Sequence, residues 1–327
     1  MSEKKQKLII LTGPTGVGKT KISISLAKAL NGEIISADSM QVYRGMDIGS
    51  AKIREDEMQG VKHHLIDILD PRDDFNVVIF QKLASEAIDD IASRGKLPIV
   101  VGGTGFYIQA LRKGVEFSEE EESPFRKELE EEAARIGKEA FHEKLLAVDP
   151  KSYERIPAGN VKRVVRALEF YQMHGYPISD HNDTEKQKGS IYDDLCFILT
   201  NERSVLYDAI NCRVDQMVEE GLFEEIKHLY DEGLTKEYNS MQGIGYKEIL
   251  SYYTGEISRE DAIDLVKKNT RHFAKRQYTF FKSLPDVIIY DKSQFGSDDM
   301  IAENMIRTAS AMRGCDAEAS GEHYEYL

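Results

Sequence analysis

One segment near the start of the chain has the residue types and spacing of a phosphate-binding loop. It reads Gly13-Pro14-Thr15-Gly16-Val17-Gly18-Lys19-Thr20 and matches the P-loop pattern G-x-x-x-x-G-K-T. Glycines let backbone N–H groups converge on an anion, and a following helix N-terminus adds a favourable dipole. Lys19 would carry charge to the terminal phosphate, and the Thr20 hydroxyl would lie where Mg²⁺ can bind. We expect a diphosphate at Gly13, Thr15, Gly16, Val17, Gly18, Lys19 and Thr20; an ordinary glycine turn opening a helix is the alternative.

A carboxylate follows the second predicted strand. Asp38 begins the run Asp-Ser-Met-Gln-Val-Tyr one residue after the predicted strand at 33–36. Ligands of open α/β sheets bind at the carboxyl ends of the strands, so Asp38 is expected on the same edge as the P-loop. It would act there as a general base or hold a metal ion, or it would cap a helix N-terminus, which Asp favours. The residues alone leave these roles open.

A second glycine turn, Gly102-Gly103-Thr104-Gly105, follows the predicted strand at 97–101. Many P-loop nucleotidases end this strand in a metal-linked Asp, so its absence here argues against simple ATP hydrolysis. A tight strand-to-helix turn accounts for the glycines but not for Thr104. We therefore expect Thr104 to reach the edge of the sheet that carries the P-loop and Asp38.

Basic side chains form further candidates. Lys162, Arg163 and Arg166 share one helix face by their spacing, so they either contact a phosphate backbone or pair with nearby acids at the surface. Either Arg203 or Arg213, on a later helix, could bring a second cation to the diphosphate. The run Gly243-Ile-Gly-Tyr-Lys247 offers an aromatic and a cation for base stacking, with a plain turn as the simpler interpretation. His63 and His64 lack an acid at metal spacing and are interpreted as structural or substrate-lining.

Short β-rich runs alternate with amphipathic stretches, which is typical of a parallel sheet with crossover helices. Strands are predicted at 8–11, 33–36, 64–68, 97–101, 195–199 and 287–290, and helices at 19–30, 75–93, 205–232, 246–253 and 259–283. Residues 117–190 are charged, helical and poor in strand formers. The sequence therefore predicts an α/β P-loop core with a parallel sheet flanked by helices, formed by 1–116 and completed by 191–313, an all-helical insertion at 117–190, and a disordered tail at 314–327.

Composition excludes several classes of protein. The chain has 327 residues, is 41% hydrophobic and has a formal net charge of −14. No apolar run approaches the roughly 20 residues of a membrane span, and the polar N-terminus leaves no room for a signal peptide. The cysteines, Cys196, Cys212 and Cys315, lack zinc or redox spacing, which indicates a reducing compartment, so a cytoplasmic protein is expected. Nothing in the sequence demands more than a monomer. The negative net charge argues against nucleic-acid binding over the whole surface, but it does not exclude a local basic groove that binds nucleic acid.

These motifs together resemble the tRNA dimethylallyltransferase family, also called tRNA isopentenyltransferases. The matching runs are the P-loop, Asp38 to Lys52 (DSMQVYRGMDIGSAK), His63 to Asp67 (HHLID), Gly102 to Tyr107 (GGTGFY), Arg163 to Glu169 (RxxRALE), Gly243 to Lys247 (GIGYK) and Ala274 to Gln277 (AKRQ). They occur in the family's order over nearly the whole chain. Phe106 is a small departure, because the family often has leucine there.

The resemblance implies transfer of a five-carbon prenyl group from dimethylallyl diphosphate to N6 of the adenosine 3′-adjacent to a tRNA anticodon, with Mg²⁺. It also implies a helical insertion over the RNA, with the tRNA anticodon stem-loop contacted by Asp38, Ser39, Met40, Gln41, Thr104, Arg126, Lys162, Arg163, Val164, Val165 and Arg166, and more weakly by Gly243, Tyr246 and Lys247. An exocyclic adenine amine is a poor nucleophile and needs a base, for which Asp38 is the candidate. Arg213 would stabilise the leaving pyrophosphate and Thr104 would bind its oxygens or orient the amine, which makes Asp38, Thr104 and Arg213 the predicted catalytic residues.

Three other functions are compatible with a P-loop. A small-molecule or nucleotide kinase would turn over ATP and carry a lid with phosphate-binding arginines, which the insertion could resemble. A prenyltransferase acting on free adenylate would not need the long helical region after residue 200. A non-catalytic nucleotide switch would leave Asp38 without a role.

Overall fold

A computed structural model of the chain describes residues 5–115 and 123–317. The elements in chain order are β1 (Lys7–Thr12), α1 (Lys19–Ala29), β2 (Gly32–Ser36), β3 (His63–His64), α2 (Val77–Ser93), β4 (Leu97–Gly102), α3 (Gly105–Lys113), α4 (Pro124–Ile136), α5 (Lys138–Val148), α6 (Pro150–Arg155), α7 (Val161–His174), α8 (Ile178–Gln187), β5 (Asp193–Thr200), α9 (Arg203–Glu219), α10 (Leu222–Asp231), α11 (Tyr246–Tyr253), α12 (Arg259–Phe281), β6 (Val287–Asp291) and α13 (Asp298–Ala317). Short 3₁₀ turns occur at Ser240–Gln242 and Lys292–Gln294.

The strands form a parallel sheet in the order β3-β2-β4-β1-β5-β6. Strand β1 is central, with Ile10 opposite Val100 of β4 on one side and Cys196 of β5 on the other. Parallel strands with helices on both faces are buried on both sides, which explains the near-continuous apolar runs in β1 and β4. The expected α/β class with a parallel sheet is confirmed.

Two compact units are present. The core unit comprises Met1–Arg112 and Ile191–Leu327, and the helical unit comprises Lys113–Ser190. Side chains alternate across each strand, so Leu8 and Ile10 enter one hydrophobic cluster of the core unit while Ile9 and Leu11 enter the other. Full burial of each such side chain stabilises the fold by about 1.5–3 kcal/mol.

The helical unit has its own hydrophobic core. Helices α4, α5 and α7 pack together around side chains that include Leu129, Phe141, Leu145, Val164 and Leu168. The fully buried Asp149 accepts hydrogen bonds from Ser152 and Ser179. Burial opposes its charge, yet these hydrogen bonds hold the pKa of the Asp149 carboxyl below its usual range. The unit begins at Lys113, whereas the predicted start at 117 lies outside the described residues.

Three predicted elements were wrong in extent. The single helix at 205–232 is divided into α9 and α10 at Gly221, whose φ of 104° is left-handed and ends the first helix. Strand β3 contains only His63 and His64, since Leu65 and Asp67 also have positive φ and turn the chain away from the sheet. Helix α13 continues to Ala317, past the predicted start of the tail at 314; residues 318–327 lie outside the described part.

Candidate active site

The loop between β1 and α1 has the backbone geometry that its glycines predict. Gly18 is the N-cap of α1 with φ 92° and ψ 29°, a left-handed conformation that glycine adopts without steric cost. The Lys19 ammonium donates to the carbonyls of Gly13 at 2.8 Å and Pro14 at 3.0 Å. Thr20 is exposed in the first turn of α1. A helix N-terminus, a lysine and a hydroxyl therefore meet at the carboxyl end of β1, an arrangement suited to binding an anion.

Asp38 and Thr104 are brought together by the ends of β2 and β4. The Ala37 N–H donates to the Val101 carbonyl at 2.8 Å, and the Thr104 N–H donates to the Ala37 carbonyl at 3.2 Å. A side chain at Gly102 would collide with the backbone of Ala37, so only glycine permits this approach. The second glycine turn thus places Thr104 beside Asp38.

The two oxygen atoms of the Asp38 carboxylate differ in their hydrogen bonding. Oδ1 accepts the backbone N–H of Met40 at 2.8 Å and, more weakly, that of Gln41 at 3.4 Å. This is the capping interaction considered from the sequence. Oδ2 makes no hydrogen bond with any residue in the two described ranges. The same side chain can therefore order its own turn and still present one oxygen to a ligand.

A cavity of about 700 Å³ in the core unit gathers many of the predicted residues. Those that line it are Thr15, Asp38, Ser39, Met40, Thr104, Arg213, Gly243 and Lys247. Its apolar and aromatic wall includes Tyr43, Phe75, Phe106, Tyr107, Ile210, Val214 and Phe273. A few polar groups in a largely apolar pocket are typical of a site that orients an organic ligand. Arg203 is exposed at the start of α9 and does not line the cavity, so Arg213 is the one of these two candidates that reaches it.

The charged groups of this site influence one another. Burial and, to a smaller extent, the nearby Arg213 guanidinium lower the pKa of Lys19 to about 8, while the charge of Asp38 opposes the shift. Burial likewise lowers the pKa of Arg213, and the charge of Asp38 opposes that shift. Lys19 and Arg213 repel each other when both are charged. Because an anionic ligand would relieve that repulsion, the pair favours binding of an anion.

Gln277 is a part of the site that was not identified as functional from the sequence. It is buried on α12, where its Oε1 accepts the Thr15 N–H at 2.9 Å and its Nε2 donates to the Gly103 carbonyl at 2.9 Å. One amide therefore joins the P-loop to the turn that holds Thr104. The run Ala274 to Gln277 was part of the resemblance. Hydrogen bonds between Gln277 and residues as distant in sequence as Thr15 cannot be predicted from the spacing of residues.

Some residues that were predicted to contact RNA do not line the cavity. Tyr246 was expected at the RNA, but its ring is fully buried and its hydroxyl donates to Glu225 Oε1 at 2.7 Å. Val164 and Val165 are buried in the core of the helical unit, because α7 turns this apolar face towards α4 and α5. The prediction that these three side chains contact RNA was therefore wrong, and they stabilise the fold instead. The Gln41 amide does not line the cavity and donates to the carbonyls of loop residues at 50 and 51.

The basic residues of the helical unit are mostly at its surface. Lys162, Arg163 and Arg166 are exposed on α7. Arg126 and Arg166 both contact the buried Glu169, at 2.8 and 3.3 Å. The pairing with acids considered from the sequence therefore holds for Arg166, which nevertheless keeps about half of its side chain exposed to solvent (52%).

Among residues 5–115 and 123–317, no three His, Cys, Asp or Glu side chains cluster as a metal site would require. No helix in that part of the chain is both long enough and apolar enough to span a membrane.

The fold and site define a parallel-sheet α/β protein with a glycine-rich loop, suited to binding an anion, beside a pocket lined by a carboxylate, a hydroxyl and an arginine. Family models described as IPP transferase and isopentenyl transferase match residues 41–284 and 6–73. The chain is 51% identical over 303 residues to a tRNA dimethylallyltransferase of Lachnoclostridium phytofermentans, covering 92% of this chain and 97% of that one. It belongs to the IPP transferase family, a class of prenyl-transferring enzymes.

Solved structures agree with this assignment. The full-length tRNA isopentenylpyrophosphate transferase from Bacillus halodurans superimposes with a TM-score of 0.73 at 44% identity, over 97% of this chain and 99% of that one. A eukaryotic dimethylallyltransferase acting on tRNA gives a TM-score of 0.71 at 32% identity, over 88% of this chain and 74% of the other.

Proposed function

We propose that the protein transfers the dimethylallyl group of dimethylallyl diphosphate to N6 of the adenosine 3′-adjacent to a tRNA anticodon and releases pyrophosphate. The observation that carries the proposal is that Asp38, Thr104 and Arg213 line one cavity, together with Thr15 of the P-loop. Family membership supports the choice of donor and acceptor. The protein would act as a monomer in the cytoplasm.

The acceptor amine needs a base. Its lone pair is delocalised into the adenine ring, so N6 becomes nucleophilic only as it loses a proton. The N6–C1 bond forms while the bond from C1 to the bridging diphosphate oxygen breaks, and Asp38 Oδ2 accepts the proton released from N6. Thr104, held beside Asp38, would donate a hydrogen bond to the diphosphate or orient the amine.

The leaving pyrophosphate carries the charge that develops in the transition state. Loop N–H groups, Lys19 and Arg213 would stabilise that charge from fixed positions. Mg²⁺ usually binds through few protein ligands together with phosphate oxygens, and the exposed Thr20 hydroxyl in the first turn of α1 fits that requirement. When bound, the ion would neutralise part of the diphosphate charge.

The acceptor RNA would be bound by both units. A base must leave its stack to enter a pocket, and unstacking is least costly in a single-stranded loop. Phe106 lines the cavity with 56% of its surface exposed and offers a face for stacking. Lys162, Arg163 and Arg166 would contact phosphates from the helical unit, with Arg126 nearby.

The test is incubation of the protein with Mg²⁺, bulk tRNA and labelled dimethylallyl diphosphate, with labelled ATP as a parallel donor. Label is expected in RNA from the prenyl donor and none from ATP. Phosphoryl transfer from ATP without prenylated RNA would replace the proposal with a kinase. Prenylation of free adenylate in preference to tRNA would indicate the smaller acceptor.

A further inference from the structure

A lysine far along the chain contacts the P-loop from outside. Lys292 lies in the 3₁₀ turn after β6, and its ammonium donates to the Val17 carbonyl at 3.1 Å. The same ammonium pairs with Asp298 Oδ1 at 2.6 Å, at the start of α13. The side chains of Lys292 and Asp298 are only 20% and 25% exposed. This contact is therefore a partly desolvated one, stronger than a surface ion pair.

The contacted carbonyl belongs to a peptide unit of the anion-binding loop. In a planar trans peptide the C=O of Val17 and the N–H of Gly18 point in opposite directions. An ammonium that holds the carbonyl on the outside therefore directs the Gly18 N–H towards the inside of the loop. A charged donor on the carbonyl also polarises the peptide and strengthens its N–H as a donor.

Lys292 also neutralises the negative charge of Asp298 next to the loop. A Cβ added to Gly18 would lie 3.0 Å from Lys292 Nζ and 3.7 Å from Asp298 Oδ2, so both charges adjoin the loop. A bare carboxylate there would repel a diphosphate. The ion pair with Lys292 compensates that charge.

We propose that Lys292 is a positioning residue for the diphosphate of the prenyl donor. It acts through the Val17–Gly18 peptide and through Asp298, and it need not touch the substrate. The inference rests on the proposed function, since the diphosphate is that of the proposed donor. It goes beyond that function by assigning donor affinity to the segment after β6, outside every motif of the sequence.

A matched control lies beside it. Lys21 of α1 pairs with Asp299 of α13 at 3.0 Å, with side chains 63% and 69% exposed. This pair joins the same C-terminal helix to the helix that follows the P-loop. It makes no hydrogen bond with the loop carbonyls in the described residues. Lys21→Met therefore removes an equivalent charge and helix contact without touching the Val17–Gly18 peptide.

The experiment compares wild type with Lys292→Met, Lys292→Arg, Lys292→Met/Asp298→Asn and Lys21→Met. The KM for dimethylallyl diphosphate, the KM for tRNA and the Kd for inorganic pyrophosphate are measured for each. Lys292→Met should raise the donor KM and the pyrophosphate Kd about tenfold, the order expected for one charged hydrogen bond, with the tRNA KM unchanged. The double variant should recover part of the loss, and Lys292→Arg and Lys21→Met should behave as wild type.

Unchanged donor KM and pyrophosphate Kd in Lys292→Met would overturn the inference, as would an equal change in Lys21→Met. If Lys292→Met fails to fold, Lys292→Gln keeps a hydrogen-bond donor without charge and should give a smaller rise in both constants; wild-type values in that variant would also contradict the charge effect. A wild type that binds pyrophosphate but transfers no prenyl group would refute the proposed function and leave the pyrophosphate test of Lys292 intact.

Discussion

The core unit and the helical unit hold their charged side chains in different ways. In the core unit the charges of Asp38 and Arg213 influence the pKa of Lys19, and backbone contacts fix the positions of Lys19 and Asp38. In the helical unit Lys162 and Arg163 extend into solvent from a helix whose other face is buried. Fixed, interacting charges can act on a transition state, whereas solvated charges mainly attract a polyanion. Substitution of Asp38 in the core unit should therefore reduce the rate at saturation, and substitution of the exposed cations in the helical unit should reduce the affinity for tRNA.

The largest effect is expected for Asp38→Asn. Asparagine keeps an oxygen that can accept the Met40 N–H, so the turn is preserved while the base is lost. We expect kcat to fall by about 10³-fold, within the range for a general base, with tRNA affinity close to wild type. A kcat within a factor of a few of wild type would remove Asp38 as the base.

The next largest effect is expected for Gln277→Leu. It leaves the Thr15 N–H and the Gly103 carbonyl without their partner, at a cost of about 2 kcal/mol in the free energy of unfolding. Because both groups belong to the site, kcat should fall as well. Asp149→Asn in the helical unit is the control, since it also disturbs a buried network. Its stability should fall in denaturant titration without a change in the saturating rate, and a drop in rate there would contradict the division between the units.

The lowered pKa of Lys19 predicts a pH effect. Below pH 8 the ammonium is protonated and can bind a diphosphate; above about pH 8 it loses its proton, so kcat/KM for the donor should fall towards tenfold per pH unit. Lys19→Arg stays charged and should lack this bend. A profile that is flat through pH 9 in wild type, or an identical bend in Lys19→Arg, would assign the titration elsewhere.

The smallest effect is expected for joint replacement of Lys162, Arg163 and Arg166 by alanine. Loss of these phosphate contacts should weaken tRNA binding about tenfold near 0.15 M salt and flatten the plot of log affinity against log salt. Replacing the exposed cations Lys127, Arg135 and Lys138 controls for net charge. Equal slopes in the two triple variants would mean that the α7 cluster has no special contact with RNA.

Local patterns predicted the P-loop, the strand ends and the α/β class because each depends on residues adjacent in sequence. Partners distant in sequence were not predictable in this way. Gln277 joins two loops that only the folded chain brings next to α12. Lys292 reaches Val17 only because β6 lies beside β5 in the sheet. Tyr246 was misassigned because an aromatic next to glycines suits either a stacking surface or a core, and burial alone distinguishes them.

The most direct test of the central claim is the single-turnover rate of prenyl transfer with both donor and tRNA at saturation. It is measured for wild type, Asp38→Asn and the alanine triple variant of Lys162, Arg163 and Arg166. The triple variant should reach the wild-type rate once tRNA is saturating, and Asp38→Asn should remain slow by about 10³-fold at every concentration. A triple variant that stays slow at saturation, or an Asp38→Asn enzyme that recovers with added tRNA, would contradict the assignment of chemistry to the core unit and of tRNA affinity to the basic residues of the helical unit.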